Sequence, residues 1–317
     1  MSFRTALTEM FGIRHPILLA PMGGVSGGRL AAAVTEAGGL GLIGAGYGDP
    51  AWVAREYDAA GNTPVGIGFI TWSLAKQPGL LTETLARKPA AVMLSFGDPA
   101  PFADEIHAAG AKLICQVQTV ADAHAAVEAG ADLIVAQGTE AGGHGGDRAT
   151  LTLTPAVIDA VAPLPVVAAG GIADGRGLAA VLALGACGAL VGTRFFAAAE
   201  SVGHDAAKAR IVAATGDGTR RTTVFDIARR LDWPARFTGR AIDNDFMDRW
   251  HGREVGLATA LDSEEKRYRA AAAAGDFETA VVFAGEAVDL IDDIPAAREI
   301  VERMVAEAKS ALTGALR

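Results

Sequence analysis

The chain has 317 residues, half of them hydrophobic, and a formal charge of −9, enough to bury a large core in one domain or one domain plus a small appendage. An acidic chain with no cluster of Lys and Arg interleaved with aromatics excludes nucleic acid as an expected partner, and no apolar run approaches the ~18 residues of a membrane span. The two cysteines, Cys115 and Cys187, sit in or beside strand-like runs and leave neither a disulfide framework nor a cysteine-rich metal site. With no leader pattern over Met1–Met22, a cytoplasmic protein with reduced thiols is expected.

Apolar runs of strand length recur in order: Pro16–Met22, Leu40–Gly46, Val65–Ile70, Ala91–Phe96, Lys112–Val117, Leu133–Gly138, Pro165–Gly170 and Ala189–Thr193. Between them lie Ala-rich segments of helical periodicity, such as Arg29–Glu36 and Val120–Ala129, as a parallel sheet with crossover helices requires. Gly38, Gly61, Gly110, Gly130 and Gly185 each end a helix shortly before the next strand, where a left-handed residue is wanted. Ser26 and Asp174 are placed to cap the helices that follow the first and seventh strands.

Eight such units within about 200 residues match a (β/α)8 TIM barrel better than an open doubly wound sheet. Gly44-Ala45-Gly46-Tyr47-Gly48 lacks the G-x-G-x-x-G spacing of a dinucleotide site, and no P-loop ending occurs. After about Ala197 the pattern breaks, through Asp217–Arg221, Arg229–Arg240 and Asp243–Arg253. Residues 200–290 therefore read as a small, mostly helical substrate or lid excursion over the barrel mouth. Residues 1–199 and 291–317 form the barrel, closed by a last helix over Pro295–Leu312 that buries Ile300, Met304, Val305 and Ala308.

In a barrel all strand C-termini point to one mouth, which collects Pro21-Met22-Gly23-Gly24, Gly68, Gln116, Gln118, Gln137–His144, Ala169-Gly170-Gly171 and Gly192-Thr193-Arg194. The turns after the seventh and eighth strands stand where barrels hold phosphate on main-chain amides, with Thr193 as an added hydroxyl donor. His144 lies in a glycine-flanked loop after the sixth strand. His107 and His124 read as solvated helix residues, His15 lies at the opposite end of the barrel, and His204 and His251 lack zinc-site spacing. Glu140 either orients His144 or caps its loop. Paired carboxylates of the glycosidase kind are absent.

Ala20-Pro21-Met22, Gln137-Gly138-x-Glu140-Ala141-Gly142-Gly143-His144, Ala169-Gly170-Gly171-Ile172-Ala173-Asp174-Gly175, Gly192-Thr193-Arg194-Phe195 and Gly285–Pro295 together resemble the FMN-dependent nitronate monooxygenase (2-nitropropane dioxygenase) family. Its relatives include NADH:quinone reductases and FMN-containing enoyl-acyl-carrier-protein reductases. The resemblance covers almost the whole chain. It implies FMN with its phosphate on Ala169, Gly170, Gly171, Gly192 and Thr193 and its ring near Met22, Gly23, Gly68, Gln116 and Gly142, with Pro21, Gln137 and Gly143 completing the cofactor site. No metal is implied. His144 matches the active-site histidine, and the implied reaction oxidises alkyl nitronates or nitroalkanes with O2 to carbonyl compounds and nitrite.

Three departures stand out. Gln116 replaces a Lys of some relatives, Gly68 replaces an Asn, and Ala-Pro-Met-Gly replaces the Gly-Gly-Met-Gln of quinone reductases. The alternative activity is NAD(P)H-dependent reduction of quinones or enoyl thioesters, for which Arg220, Arg221, Arg229, Arg230, Arg236 and Arg240 offer either a basic patch for an acidic carrier or a merely solvated helix face. The expected partners are a small nitronate and O2, and a homo-oligomer is left open.

Overall fold

The computed structural model describes residues 3–314; positions 1–2 and 315–317 of the expected barrel unit lie outside the described residues. Its strands are β1 (Ile17–Leu19), β2 (Leu42–Gly44), β3 (Gly66–Ile70), β4 (Ala91–Ser95), β5 (Lys112–Val117), β6 (Leu133–Gln137), β7 (Gly143–Gly145), β8 (Val166–Ala169), β9 (Ala189–Val191), β10 (Thr219–Thr222) and β11 (Thr238–Ile242). Eight of them form one parallel sheet in the order β1-β9-β8-β6-β5-β4-β3-β2. The sheet closes where Leu40, at the entry to β2, exchanges backbone bonds of 3.0 Å with Leu19 and Ile17. The fold is a TIM barrel, and all eight expected strands are present. Several are shorter than their apolar runs because the last residues, Ala20–Met22 among them, leave the ladder to build the mouth.

Alternation along each strand separates two cores. Leu18, Leu42, Met93, Ile114, Leu133, Val135, Val167 and Leu190 point inward and fill the barrel, with Leu7, Met10 and Phe11 of the N-terminal helix Ala6–Phe11 closing the far end. Ile17, Leu19, Ile43, Ile67, Val92, Leu113 and Ile134 point outward against the helices. Two residues beyond the inward Met93, Ile114 and Val135 come Ser95, Gln116 and Gln137, so the period of two that fills the barrel also lifts these polar side chains to its mouth.

The helix-ending glycines take the left-handed conformation, with φ of +103° at Gly38, +63° at Gly61, +77° at Gly110, +85° at Gly130 and +95° at Gly185. Asp174 caps its helix through bonds to the Arg176 and Gly177 amides. Ser26 does not cap: Gly27 holds that position, and the fully buried Ser26 hydroxyl donates to Ala20 O at 2.7 Å and accepts from the Met22 amide, pinning the mouth loop instead. The last helix, Ala297–Gly314, buries Ile300, Met304, Val305 and Ala308 and packs on helices Gly175–Ala183 and Gly28–Glu36.

Between β9 and this helix the chain forms several helices, as expected, but also β10 and β11, which join β7 in a three-stranded antiparallel sheet of order β10-β11-β7. His144 therefore sits in a strand paired with Gly239, not in a free loop. Sequence periodicity cannot register a three-residue strand whose partner lies some 95 residues onward.

Gly68 explains one departure from relatives. A Cβ there would lie 2.2 Å from Cγ of Pro21, so the proline ring of the mouth loop fills the space that a larger side chain would occupy. Gly68→Ala is expected to lower unfolding free energy by about 1–3 kcal/mol, the usual cost of overpacking, measured by denaturant titration against wild type.

Candidate functional site

Pro21, Met22 and Gly23 after β1, Gly68 in β3, Gln116 in β5, Gln137 in β6, Gly142, Gly143 and His144 at β7, Ala169, Gly170 and Gly171 at the end of β8, and Gly192 and Thr193 after β9 all line one cavity of about 940 Å³. The barrel mouth forms its floor, and Arg229, Trp233, Tyr268 and Phe283 of the inserted segment form its far wall.

At one end, the turns after β8 and β9 make a cradle. Gly170 and Gly171 adopt φ of +102° and +72°, a left-handed pair that exposes successive amides. The amides of Gly171 and Thr193 have no backbone acceptor among the described residues. Thr193 Oγ1 accepts a bond of 3.0 Å from the Gly285 amide, which leaves its O–H free to donate. A Cβ on Gly192 would meet nothing nearer than Ala20 Cβ and Met22 Sδ at 3.5 Å, so the backbone there is open to a close-lying group. These donors fit a phosphate, and the glycine-lined floor fits a flat ring beside it. Arg194 takes no part: it is buried and binds Asp293, with an Nη1–Oδ1 distance of 3.0 Å.

His144 is held from three directions. Its Nε2 lies 2.9 Å from Asp226 Oδ2, and both side chains are only 6% exposed. Its carbonyl accepts from Gln137 Nε2 at 3.0 Å, while Gln137 Oε1 accepts from Gln116 at 3.2 Å and Gln118 at 2.8 Å. Its ring faces the Trp233 indole at a centroid distance of 3.4 Å and an interplanar angle of 3°. An Nε2–H donated to the carboxylate leaves Nδ1 as the free nitrogen, and Nδ1 has no partner among the described residues.

Trp233 is fixed in turn. Its Nε1 donates to the Tyr47 hydroxyl at 3.0 Å, and Phe96 and Trp72 approach it edge-on at 5.2 and 5.4 Å. Phe96 has φ +67°, a conformation that costs a non-glycine residue about 1–3 kcal/mol and that clusters at functional sites. Burial pushes the Tyr47 hydroxyl above its ordinary pKa, so it stays a neutral donor and acceptor. The thiols are remote from this chemistry: burial raises Cys115 to about 12 and Cys187 to about 11.

Of the open choices, Glu140 caps: its carboxylate accepts from the Thr150 amide at 2.9 Å and the Thr150 hydroxyl at 2.8 Å, and Asp226 takes the histidine. His107 is an exposed helix residue outside the cavity, as expected, and pairs with Asp132 at 3.1 Å. The arginines form no unpaired basic patch, and the side chains of Arg230 and Arg236 stay about half exposed, a solvated face held in ion pairs. Arg220 pairs with Asp243 and Asp248, Arg230 with Asp262 and Glu265, Arg236 with Asp122, and Arg240 with Glu286. Arg221 donates to Thr139 and Thr238 carbonyls, and burial, then Arg240, lowers it to about 10. Asp226, Trp233, Phe96 and Tyr47 were missed from the sequence; the one available signal was a lone carboxylate inside the apolar run Val224–Ala228.

The TIM-barrel mouth joins an anion cradle to a carboxylate-held histidine, and the family match that follows makes the protein an oxidoreductase. The family model for nitronate monooxygenase matches residues 4–71 and 73–307, and the chain belongs to the nitronate monooxygenase family. It is 33% identical to a nitronate monooxygenase of Paraburkholderia phytofirmans, over 98% of this chain and 96% of that one. It is 32% identical, over 97% of both, to a protein of Mycobacterium tuberculosis named as a 5-hydroxy-7a-methyl-1-oxo-octahydro-1H-indene-4-carboxyl-CoA dehydrogenase. Among solved structures, FabK from Thermotoga maritima superposes with a TM-score of 0.88 at 32% identity, covering 99% of this chain and 98% of that one. No helix among the described residues is long and apolar enough to cross a membrane.

Asp226→Ala is expected to free the imidazole. Long-range 1H–15N NMR should report a single Nε2–H tautomer of His144 in the wild type and a mixture in the variant, with a stability loss of about 1–3 kcal/mol from the buried unpaired nitrogen.

Proposed function

We propose that this protein is an FMN-dependent nitronate monooxygenase that oxidises alkyl nitronates, and the nitroalkanes from which they derive, to carbonyl compounds and nitrite with O2. The observation that carries the reading is the free Nδ1 of His144 on the cavity wall, with its opposite nitrogen held by Asp226 at 2.9 Å. The cradle of Ala169, Gly170, Gly171, Gly192 and Thr193 would hold the FMN phosphate, and Met22, Gly23, Gly68 and Gln116 would border the ring. Bound there, FMN supplies the redox centre that the side chains lack.

His144 Nδ1 takes the proton from the acidic carbon of a neutral nitroalkane; protonated, it donates a hydrogen bond to the nitronate oxygen. Asp226 fixes the ring against rotation, and the Trp233 indole covers one of its faces and keeps water off it. Gln116 donates a hydrogen bond but no charge toward the ring. Residues 200–290 act as the substrate-enclosing unit, because they supply the Arg229, Trp233, Tyr268 and Phe283 wall. A cytoplasmic location accords with two free thiols, Cys115 buried and Cys187 part-buried.

A second reading, NAD(P)H-dependent reduction of quinones or enoyl thioesters, is favoured by the size of the cavity: about 940 Å³ exceeds the needs of a flavin ring and a small alkyl nitronate.

The protein purified with bound FMN and mixed anaerobically with an alkyl nitronate is expected to lose its oxidised-flavin absorbance, with no response to NADH or NADPH. His144→Ala is expected to lower kcat with a neutral nitroalkane by about 10²–10⁴, the usual contribution of a general base, with flavin content unchanged. Bleaching by NAD(P)H alone overturns the reading in favour of the second.

A further inference from the structure

A second cavity, of about 400 Å³, lies between helices Thr71–Leu74, Leu80–Leu85 and Ala100–Ala108. Leu74, Leu81, Pro101 and Phe102 make its walls largely apolar, and its size and composition are those of a small-molecule site. Trp72 lines this cavity and not the catalytic one, yet its ring meets two residues that do line the catalytic one, Tyr47 at 6.0 Å and Trp233 at 5.4 Å. Gln77 borders both cavities and donates to the Tyr47 carbonyl at 2.7 Å. At Gln77 the partition between them is a single residue thick.

Of the four tryptophans in the chain, Trp52 donates its indole N–H to Gly44 O at 2.9 Å, Trp233 to the Tyr47 hydroxyl at 3.0 Å and Trp250 to Glu264 Oε2 at 3.2 Å. The Trp72 N–H alone is buried with no acceptor among the described residues, and the hydroxyl of its neighbour Thr71, a residue only 1% exposed, is likewise unpartnered. An indole nitrogen can only donate, and buried donors are almost always satisfied. Two unmet donors on consecutive residues of one cavity wall therefore call for an acceptor that the chain does not supply. No Lys, Arg or His among the described residues lines the cavity; Lys76, whose ammonium lies 4.9 Å from the Trp72 ring centroid, stands outside the lining. The two carboxylates at its edge are engaged locally, Asp98 by the Ala100 amide at 3.0 Å and Glu105 by the Thr82 hydroxyl at 2.5 Å, and their charge opposes an anion.

We propose that this cavity is an accessory binding site for a small neutral molecule with an apolar body and a carbonyl acceptor, which takes the Trp72 N–H and acts on the catalytic cavity through the contact between Trp72 and Trp233. A carbonyl oxygen has two lone pairs, so it can accept from more than one donor of the wall. Trp233 stacks on His144 with 3.4 Å between ring centroids, and a displacement of Trp72 is thereby passed to the ring that covers the imidazole. The site stands apart from the glycine cradle and does not depend on which substrate or electron donor the catalytic cavity takes.

The test titrates the purified protein, as isolated, with acetophenone while 1H–15N NMR follows the indole N–H resonances, those of Trp72 and Trp233 being assigned by their loss in Trp72→Phe and Trp233→Phe. Acetophenone is expected to move the Trp72 resonance downfield in a saturable way, the mark of a newly formed hydrogen bond, and to move the Trp233 resonance with it while that of Trp250 stays still. Intermolecular NOEs from its methyl group should reach Leu74 and Leu81, which line this cavity and not the catalytic one. α-Methylstyrene, of the same shape but with CH2 in place of the carbonyl oxygen, should give no downfield shift, and the anion benzoate should give none either. Ala75→Phe, at a position that lines only this cavity, should diminish the acetophenone shift with circular dichroism unchanged. The inference is overturned by the absence of a saturable shift at Trp72, by an equal shift with α-methylstyrene or benzoate, by an undiminished shift in Ala75→Phe, or by NOEs that place the probe against Phe283 of the catalytic cavity. A shift at Trp72 with Trp233 unmoved overturns the coupling to the catalytic cavity.

Discussion

The architecture of the site depends on a buried contact between two distant parts of the chain, the His144–Asp226 pair. One partner leaves the barrel after β6 and the other belongs to the segment inserted after β9, and the pair is almost fully withdrawn from water. Removing one partner of such a pair strands a polar group in a low-dielectric setting, which costs far more than the intact pair contributes. The two parts are therefore bound to one geometry. The β7–β11 ladder reinforces it, since His144 pairs with Gly239 through the backbone while its side chain bonds to Asp226.

Around that contact the mouth divides its labour. The barrel contributes backbone: glycines, the Thr193 hydroxyl and a Gln116–Gln137–Gln118 network that supports β7 from below. The inserted segment contributes side chains: a carboxylate, an indole and a guanidinium. Main-chain amides suit a cofactor phosphate because their positions are fixed by the strands, whereas side chains on an insertion can differ between relatives without disturbing the barrel. The chain is about equally identical to a protein named as a nitronate monooxygenase and to one named as a carboxyl-CoA dehydrogenase.

Charge in the insertion is mostly structural. Arg240 spans Glu286 and the Thr139 carbonyl, and Arg221 ties Thr139 to Thr238, so the loop before His144 is clamped by two guanidinium groups. The aromatic cluster of Tyr47, Trp72, Phe96 and Trp233 is the other clamp, and it draws on loops after β2, β3 and β4 as well as the insertion. The strained Phe96 backbone belongs to this cluster, whose packing on several sides offsets a conformation that an isolated phenylalanine would avoid.

By itself the sequence determined the eight strands, the helix-ending glycines and the positions that gather at the mouth, because these follow from periodicity and local backbone chemistry. Asp174 was legible as a cap for the same reason. Ser26 was not, since the choice between an adjacent helix amide and Ala20 O is made by the packing of the mouth loop. Glu140 could have served His144 or its own loop, and only the position of Thr150 decided it. The partners of His144 were beyond reach of pattern: Asp226 follows it by 82 residues, in a segment with no repeat to place it. Tertiary structure decided which carboxylate meets the imidazole and which ring covers it, because those are outcomes of long-range packing to which local propensity is indifferent.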